Sequence, residues 1–378
     1  MAQSIVTTQV FASVNTLEEG QLMSVLIRNL VESFPDLVTL SRGSAEIPIR
    51  DLRAAENASP ESLIFVGNQE HFRAALQSAS KTWLVAKDFE PKVPATVANV
   101  LVSSSVQLAM SGIAKKFFAQ VEHFQPIKGE KIHPSAQIAK SAKIGAGTVI
   151  GPGAVVAENC EVGENCVIGA NAILENNVKI GARTHIHPLV YIGHGCELGA
   201  ECEVQPNTTI GSEGFGYAQD KQYNHHRITH YGRVILEDRV HIGAGVQIDR
   251  GTFLDSRIGA GTKIDNHCHF GHNIQVGKNT LITGGMITAG SVTIGSYCVF
   301  GGRTTIAGHL SIGDKIQLGG MSGVTKSVTA PGAYAGLPLQ PLPLEIRTRA
   351  SLKHLPKMVK QMRRILKHLG LEDESPAE

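Results

Sequence analysis

The sequence has little charge imbalance and no long apolar run. Lys and Arg outnumber Asp and Glu by only two in 378 residues, which argues against a nucleic-acid-binding protein. The apolar runs are shorter than a membrane span, and the start MAQSIVTTQVFASV has no basic segment followed by an apolar one. We therefore expect a cytoplasmic protein without stable membrane insertion.

Aromatic side chains are also scarce. They make up 5% of the residues and Trp occurs once, whereas Gly occurs 40 times. This composition suits a backbone that turns often and packs small aliphatic side chains. The length is enough for a large core and for more than one domain.

A six-residue repeat explains this composition. An aliphatic or Phe residue returns every six positions from Ile132 to Ile210, and again from Leu236 to Leu318 with a slip at LDSR and one polar occupant, Thr288. An α-helix cannot produce this period, whereas short strands joined by tight turns can. Gly and Asn would supply the turn conformations with positive φ. The repeat therefore predicts a mainly β domain.

A second inward position lies four residues after each aliphatic residue and holds small or β-branched side chains. All six cysteines fall at this position: Cys160, Cys166, Cys196, Cys202, Cys268 and Cys298. We interpret them as buried small hydrophobes rather than as disulfide partners or metal ligands.

The repeat divides the chain into three regions. Residues 1–128 lack it and alternate strand-like and helix-like segments, which indicates a small α/β domain. Residues 131–330 carry the repeat. Residues 331–378 begin as a Pro-rich linker and continue as a basic helix, which is either a solvated helix face or a docking site for an acidic partner.

The repeat is interrupted by GSEGFGYAQDKQYNHHRITHYGRV, about 20 residues longer than one hexad needs. GSEGFGY, followed by GRVILEDRVHIGAGVQIDRGT and IDNHCHFGHNIQVG, resembles the UDP-3-O-(3-hydroxyacyl)glucosamine N-acyltransferases of lipid A biosynthesis. The resemblance is strongest over residues 131–341. It implies a left-handed parallel β-helix with 18 residues per coil, a homotrimer, and an N-terminal domain that binds uridine.

Three histidines, His267, His269 and His272, lie within six positions. Such a group is compatible with a Zn²⁺ site, which needs three or four convergent ligands. The trimeric γ-type carbonic anhydrases bind zinc on this fold, but there one His precedes a close pair. Here the close group comes first and His309 follows, so we expect no metal.

The resemblance implies a different role for one of these histidines. His272 matches the general base, and Asp265 matches the carboxylate that orients it. One coil beyond His272 lies Gly290, whose N–H we expect to contact the oxyanion. His309, on the same edge, is expected to contact substrate or phosphopantetheine, whereas His267 and His269 match no family role.

The resemblance also implies two substrate-binding segments. The inserted loop would contribute Gly214, Phe215, Gly216 and Tyr217, unless it serves only trimer packing. In the first domain the uracil would be held by Phe65 and Asn68 together with a second aromatic residue. That aromatic position is His71 here, with Phe72 beside it, so the sequence leaves open which of these rings stacks on the uracil. Alternatively, Phe65 is a core residue and Asn68 a turn residue.

The expected activity is therefore transfer of a (3R)-3-hydroxyacyl chain from acyl carrier protein to the 2-amine of a UDP-3-O-(3-hydroxyacyl)-glucosamine. The carrier's phosphopantetheine would hold the acyl group, and no other cofactor is expected. Two alternatives differ in class: another hexapeptide-repeat acyl- or acetyltransferase acting on a nucleotide sugar, and a trimeric scaffold with a degenerate site.

Overall fold

The computed structural model describes residues 24–118 and 131–371. The chain divides into two compact units, with residues 119–130 between their described parts. The predicted end of the first domain, at residue 128, and the last residues of the predicted C-terminal region, 372–378, lie outside the described residues.

The first unit is a mixed α/β structure. Its strands are β1 Val25–Leu26, β2 Val38–Arg42, β3 Pro48–Ile49, β4 Asp51–Leu52, β5 Ser62–Val66, β6 Thr82–Ala86 and β7 Asn99–Ser103. The main sheet has the strand order β2–β7–β6–β5–β4, antiparallel at β2–β7 and parallel elsewhere. Buried side chains lie on both faces of this sheet, Leu84 on one and Trp83 on the other. The helices are α1 Ile27–Ser33, α2 Gln69–Ala75 and α3 Val106–Phe117.

The second unit is a prism whose three faces are mainly parallel sheets. Neighbouring strands of a face pair residues 18 apart over most of its length, for example Val149 with Val167. The first face contains β10 Val149–Ile150, β13 Val167–Ile168, β16 His185–Ile186, β19 Glu203–Val204, β24 His241–Ile242, β27 Lys263–Ile264, β30 Leu281–Ile282, β33 Val299–Phe300, β36 Ile316–Leu318, β38 Gly332–Ala335 and β39 Gln340–Pro341.

The second and third faces follow the same plan. The second contains β8 Gln137–Ile138, β11 Val155–Val156, β14 Ile173–Leu174, β17 Tyr191–Ile192, β20 Thr209–Ser212, β25 Gln247–Asp249, β28 His269–Phe270, β31 Ile287–Thr288, β34 Thr305–Ile306 and β37 Gly323–Val324. The third contains β9 Lys143–Ile144, β12 Glu161–Val162, β15 Lys179–Ile180, β18 Glu197–Leu198, β23 Val234–Leu236, β26 Ser256–Ile258, β29 Gln275–Val276, β32 Thr293–Ile294 and β35 Ser311–Ile312.

The predicted inward positions from Ile138 onward form one continuous core, whereas Ile132, the first of the series, is 43% exposed. Phe270 and Phe300 are fully buried, and Thr288 is 1% exposed. All six cysteines are buried and unpaired, and burial raises the pKa of the Cys202 thiol to about 11. The predicted fold class, a mainly β chain built on a parallel β-helix with an α/β unit before it and helices after it, is confirmed.

The turns differ from the prediction in one respect. Asn and Gly occupy many positive-φ positions, but Arg183, Leu189 and His309 also have φ near +60°. This conformation costs a residue other than Gly on the order of 1 kcal/mol. The N–H of each of these residues donates to a carbonyl of the preceding coil, such as Arg183 N–H to Glu164 O at 2.9 Å. The stacking of coils therefore offsets part of this cost.

Two breaks in the repeat occur along one line of turns, the edge that joins second-face strands to third-face strands. We call it the 2–3 edge. Between β20 and β23 the inserted loop contains a hairpin of β21 Tyr217–Gln219 and β22 His225–Arg227. Between β25 and β26 the chain takes four residues more than a hexad, so that Gln247 pairs with His269, 22 residues on. The hexad turns that hold His272, Gly290 and His309 follow on the same edge.

The C-terminal region is more ordered than the predicted Pro-rich linker. Residues 332–335 form β38, which pairs with β36 and extends the first face, because their backbone takes the register of the preceding coil. Two helices follow, α4 Leu342–Leu352 and α5 Leu355–His368. Within the ranges that the structure describes, no helix is both long and apolar enough to cross a bilayer.

Candidate active site

His272 lies in the turn after β28, on the 2–3 edge, and is half-buried. Its Nδ1 is 2.9 Å from the Oδ1 of Asn273. Asn273 has φ +62°, a conformation that Asn tolerates well, so the tight turn brings the amide beside the ring. The side chain that holds this imidazole is therefore its own neighbour in sequence.

The contacts of Asn273 assign the tautomer of His272. Asn273 Oδ1 also accepts from the N–H of Thr252 at 3.1 Å and from its hydroxyl at 3.2 Å. Asn273 Nδ2 donates to the carbonyl of Leu254 at 3.2 Å. Because Oδ1 can only accept, Nδ1 of His272 must carry the ring hydrogen. In the neutral ring Nε2 of His272 is then the nitrogen without a hydrogen, which can take a proton from a ligand.

Gly290 is stacked on this ring, as the 18-residue coil predicts. A Cβ built on Gly290 would lie 2.5 Å from both Cε1 and Nε2 of His272. The N–H of the next residue, Ser291, donates to the His272 carbonyl at 2.8 Å. Among the described residues, no acceptor is bonded to the Gly290 N–H. The Nε2 of His272 and the backbone of Gly290, with its unbonded N–H, thus lie side by side.

The expected contact between Asp265 and His272 is not formed within the chain. Asp265 accepts hydrogen bonds from the N–H of Asn266 at 2.7 Å and of Gly284 at 2.9 Å. The reason is the fold: Asp265 follows β27 on the first face, whereas His272 follows β28 on the second. The two side chains therefore lie on different edges of the prism.

The histidine cluster of the sequence is dispersed in the structure. His267 is an exposed turn residue with φ +57° on the edge between the first and second faces. His269 lies on the second face and His272 on the 2–3 edge. Within residues 24–118 and 131–371, no group of three or more His, Cys, Asp or Glu side chains is arranged to hold a metal ion.

Asp249 is a site residue that sequence reasoning missed. It ends β25 on the second face, is 7% exposed, and accepts a hydrogen bond from the Ser212 hydroxyl at 3.0 Å. Its Oδ2 is 3.9 Å from Nε2 of His269. Burial raises the pKa of the Asp249 carboxyl, whereas His269, the Ser212 hydroxyl, His272 and His230 act to lower it. The slip of the repeat at LDSR, a few residues later, was the available signal.

The inserted loop covers His272. A Cβ on Gly214 would lie 2.7 Å from Cβ of His272, and one on Gly216 would lie 3.0 Å from Cε1 of His230. Glycine at both positions lets the backbone pass close to the two imidazoles. Between these glycines, Phe215 is 86% exposed, with its ring 5.2 Å from that of Tyr217. These residues of the insertion therefore present two aromatic rings beside His272.

His230, also from the insertion, packs against the ring of His272 with a centroid distance of 5.3 Å. It is 3% exposed, and both of its ring nitrogens lack a hydrogen-bond partner. Buried polar atoms without partners cost free energy and are concentrated at functional sites. His230 is a second residue of the site that the sequence did not reveal.

Beyond Gly290 the same edge continues to His309, which is exposed and donates its N–H to the Gly290 carbonyl at 3.1 Å. A groove of about 440 Å³ lies on the adjacent second face. Apolar side chains contribute much of its lining, and it extends from His269 past Ala289 to Leu337. The groove therefore passes directly beside the turn that holds Gly290.

In the first unit the predicted uracil contacts are in different environments. Asn68 caps α2, accepting from the His71 N–H at 2.8 Å, and His71 is exposed. Phe65 is half-buried, whereas Phe72 is 7% exposed and packs between Trp83 and Phe89. Phe72 is therefore a core residue and is unsuited to stacking on a base. Phe65 and His71 remain the residues whose rings we predict to stack on the uracil.

The fold and the site together define a hexapeptide-repeat β-helix protein with a histidine-centred site on one edge. The chain is similar in parts to several known proteins. A family model described as the GMPPB C-terminal domain matches residues 130–214. The UDP-N-acetylglucosamine O-acyltransferase of Moraxella catarrhalis is 26% identical, with a TM-score of 0.36, covering 56% of this chain and 73% of that one.

Two curated relatives are more similar in sequence, and both are named UDP-3-O-acylglucosamine N-acyltransferase. The Wolinella succinogenes protein is 41% identical over 147 residues, 39% of this chain and 46% of that protein. The Methylococcus capsulatus protein is 37% identical over 163 residues, 43% of this chain and 46% of that protein. The chain spans about half the length of these relatives. Over that span the resemblance predicted from the sequence is confirmed.

Replacing Gly290 with Ala should displace the His272 imidazole, because the new methyl group would overlap Cε1 and Nε2. The backbone should tolerate the change, since φ of Gly290 lies outside the left-handed region. We expect crystal structures to show a rotated His272 ring and thermal melts to change little. In the matched control, Gly308→Ala, the nearest atom to the new Cβ is the Gly290 carbonyl oxygen at 3.3 Å. An unmoved His272 ring in Gly290→Ala would contradict the stacking described above.

Proposed function

We propose that this protein is an N-acyltransferase. It moves a (3R)-3-hydroxyacyl chain from the phosphopantetheine of acyl carrier protein to the 2-amine of a UDP-3-O-(3-hydroxyacyl)-glucosamine. The observation that carries the proposal is the His272 ring, whose Nδ1 lies against the Asn273 Oδ1 and whose Nε2 lies against Gly290. The names of the curated relatives support the same substrate class.

The chemistry needs one base and one hydrogen-bond donor. The amine nitrogen attacks the thioester carbonyl carbon, a C–N bond forms, and the carbonyl oxygen takes the negative charge. Nε2 of His272 accepts the proton that the nitrogen loses, while the Gly290 N–H donates to the oxyanion. The C–S bond then breaks, and the imidazolium returns the proton to the sulfur. The products are an amide and a free thiol.

The substrates would occupy surfaces already described. The groove beside Ala289 is suited to the hydroxyacyl chain because it is largely apolar and begins next to the reacting centre. The aromatic rings of the inserted loop and His309 would contact the sugar or the phosphopantetheine. Phe65, Asn68 and His71 would hold the uracil.

The thioester is already activated, so the reaction as proposed needs no metal. A cytoplasmic homotrimer is part of the proposal.

The acyl carrier protein would dock on α5. The basic residues of α5 are exposed, and none of them forms an ion pair within the described part of the chain: Lys357, Lys360, Arg363, Arg364 and Lys367. Acyl carrier proteins are acidic, and complementary charge raises the encounter rate of two partners. The surface charge of this helix thus favours the carrier protein as the acyl donor.

His272→Ala should lower turnover by about 10²–10⁴, the range for loss of a general base, with the fold intact because the residue lies in a turn. The assay follows amide formation by mass spectrometry, with purified protein, hydroxyacyl carrier protein and the UDP-sugar. His267→Asn is the control, since that exposed turn residue has no proposed role and Asn accepts its positive φ. Wild-type turnover in His272→Ala would refute the proposed base. Absence of transfer by the wild type would refute the function.

Reversing Lys360, Arg363 and Arg364 to Glu should raise KM for the acyl donor while leaving KM for the UDP-sugar nearly unchanged. Donor KM of the wild type should rise with salt, because screening shortens the reach of surface charge to about 3 Å at 1 M. The charge-conserving triple variant K360R/R363K/R364K should retain the wild-type donor KM. An unchanged donor KM at low salt in the Glu triple variant would contradict docking on α5.

A further inference from the structure

We propose that Asp249 is a positioning residue for His272. In this role its buried carboxylate is the counter-charge that stabilises the His272 imidazole when the ring takes the proton of the attacking amine. The inference rests on the proposed function and adds a residue to the same site.

The geometry around Asp249 is that of a built site rather than a surface carboxylate. Asp249 is 7% exposed at the end of β25, and the Ser212 hydroxyl donates to its Oδ1 at 3.0 Å. Its other oxygen is directed toward the Nε2 of His269, 3.9 Å away. The register places Asp249 opposite Ser212 on the second face. In the next coil Ile248 pairs with Phe270, so Asp249 lies at the level of Gly271, the residue before His272. The carboxylate is thus fixed beside the turn that carries His272.

Imidazoles are the cation-forming groups around this carboxylate. Burial raises the pKa of the Asp249 carboxyl, and positive charge on His269, His272 or His230 lowers it. Among the described residues, no Lys or Arg forms an ion pair with it. The adjacent Arg250 is also buried, but its guanidinium donates to the Gly211 carbonyl at 2.8 Å and contacts His194. Arg250 therefore does not neutralise Asp249.

A buried carboxylate without a cationic partner is costly, and a positive charge placed near it relieves that cost. The reaction creates such a charge when Nε2 of His272 accepts the proton. His230 from the insertion packs against His272 and, like His269 on the second face, can only add positive charge. Asp265 lies on a different edge. Asp249 is therefore the group that favours the protonated ring.

The proposal predicts a shift in the pH dependence of kcat/KM. In Asp249→Asn the acid limb should move to lower pH by about one unit, because loss of the negative charge disfavours the protonated ring. The maximal rate should fall by about 10- to 100-fold. Asp255→Asn is the matched control. Asp255 is the last residue between β25 and β26, and its carboxylate accepts hydrogen bonds from the Arg233 N–H at 3.1 Å and from Arg233 Nε at 3.3 Å. The acid limb of this control should stay in place. An unmoved limb in Asp249→Asn would refute the proposal, since a structural defect lowers rates without moving it.

A second measurement does not depend on activity. NMR titration of histidine-labelled protein, with the His272 signal assigned from a His272→Gln variant, should show His272 titrating at lower pH in Asp249→Asn. If that variant does not fold, Ser212→Ala keeps the test open, because it removes only the hydroxyl bonded to the carboxylate. It should move the His272 titration in the same direction by a smaller amount. Unchanged titration would overturn the role of Asp249, whereas failure of the wild type to transfer acyl groups would overturn only the proposed function.

Discussion

The stacking of coils at 18 residues is the constraint on which the rest of the structure depends. Backbone hydrogen bonds join each strand to its equivalents in the coils above and below, so the side chain at one position lies over the residue 18 places away. Aliphatic, small and two Phe side chains occupy the interior. Polar chemistry is therefore confined to the outer faces and the edges. The prism is a rigid frame on which a site is positioned by register.

The site lies where that register is broken twice. The inserted loop and the four extra residues after β25 both leave the prism at the 2–3 edge, and the strands resume their pairing afterwards. The extra residues supply Thr252 and Leu254, which fix Asn273 and through it the ring of His272. The insertion supplies His230, with two unpartnered buried nitrogens. Burying these unpartnered nitrogens costs free energy at this edge only. The regularly stacked coils on either side offset that cost.

Periodicity predicted the features that depend only on register. The inward positions, the burial of the cysteines and the stacking of Gly290 on His272 all follow from counting residues. The contacts that sequence reasoning missed depend on where the chain leaves the register. The resemblance paired Asp265 with His272, but strand β28 lies between the edge that holds Asp265 and the 2–3 edge that holds His272. Asn273 gained its partners from a loop whose path no spacing specifies, whereas Asp249 meets Ser212 at a strand end where the pairing register shifts.

The central claim is that the 2–3 edge holds the His272 imidazole with its Nε2 free to accept a proton. The most direct test is ¹⁵N NMR of the neutral His272 ring in the full-length protein, which distinguishes the two tautomers. We predict a protonated Nδ1 and an unprotonated Nε2, with the Nε2 tautomer appearing when Asn273 is replaced by Ala. A protonated Nε2 in the neutral ring of the wild type would contradict the proposed role, because the nitrogen beside Gly290 could not then act as the base.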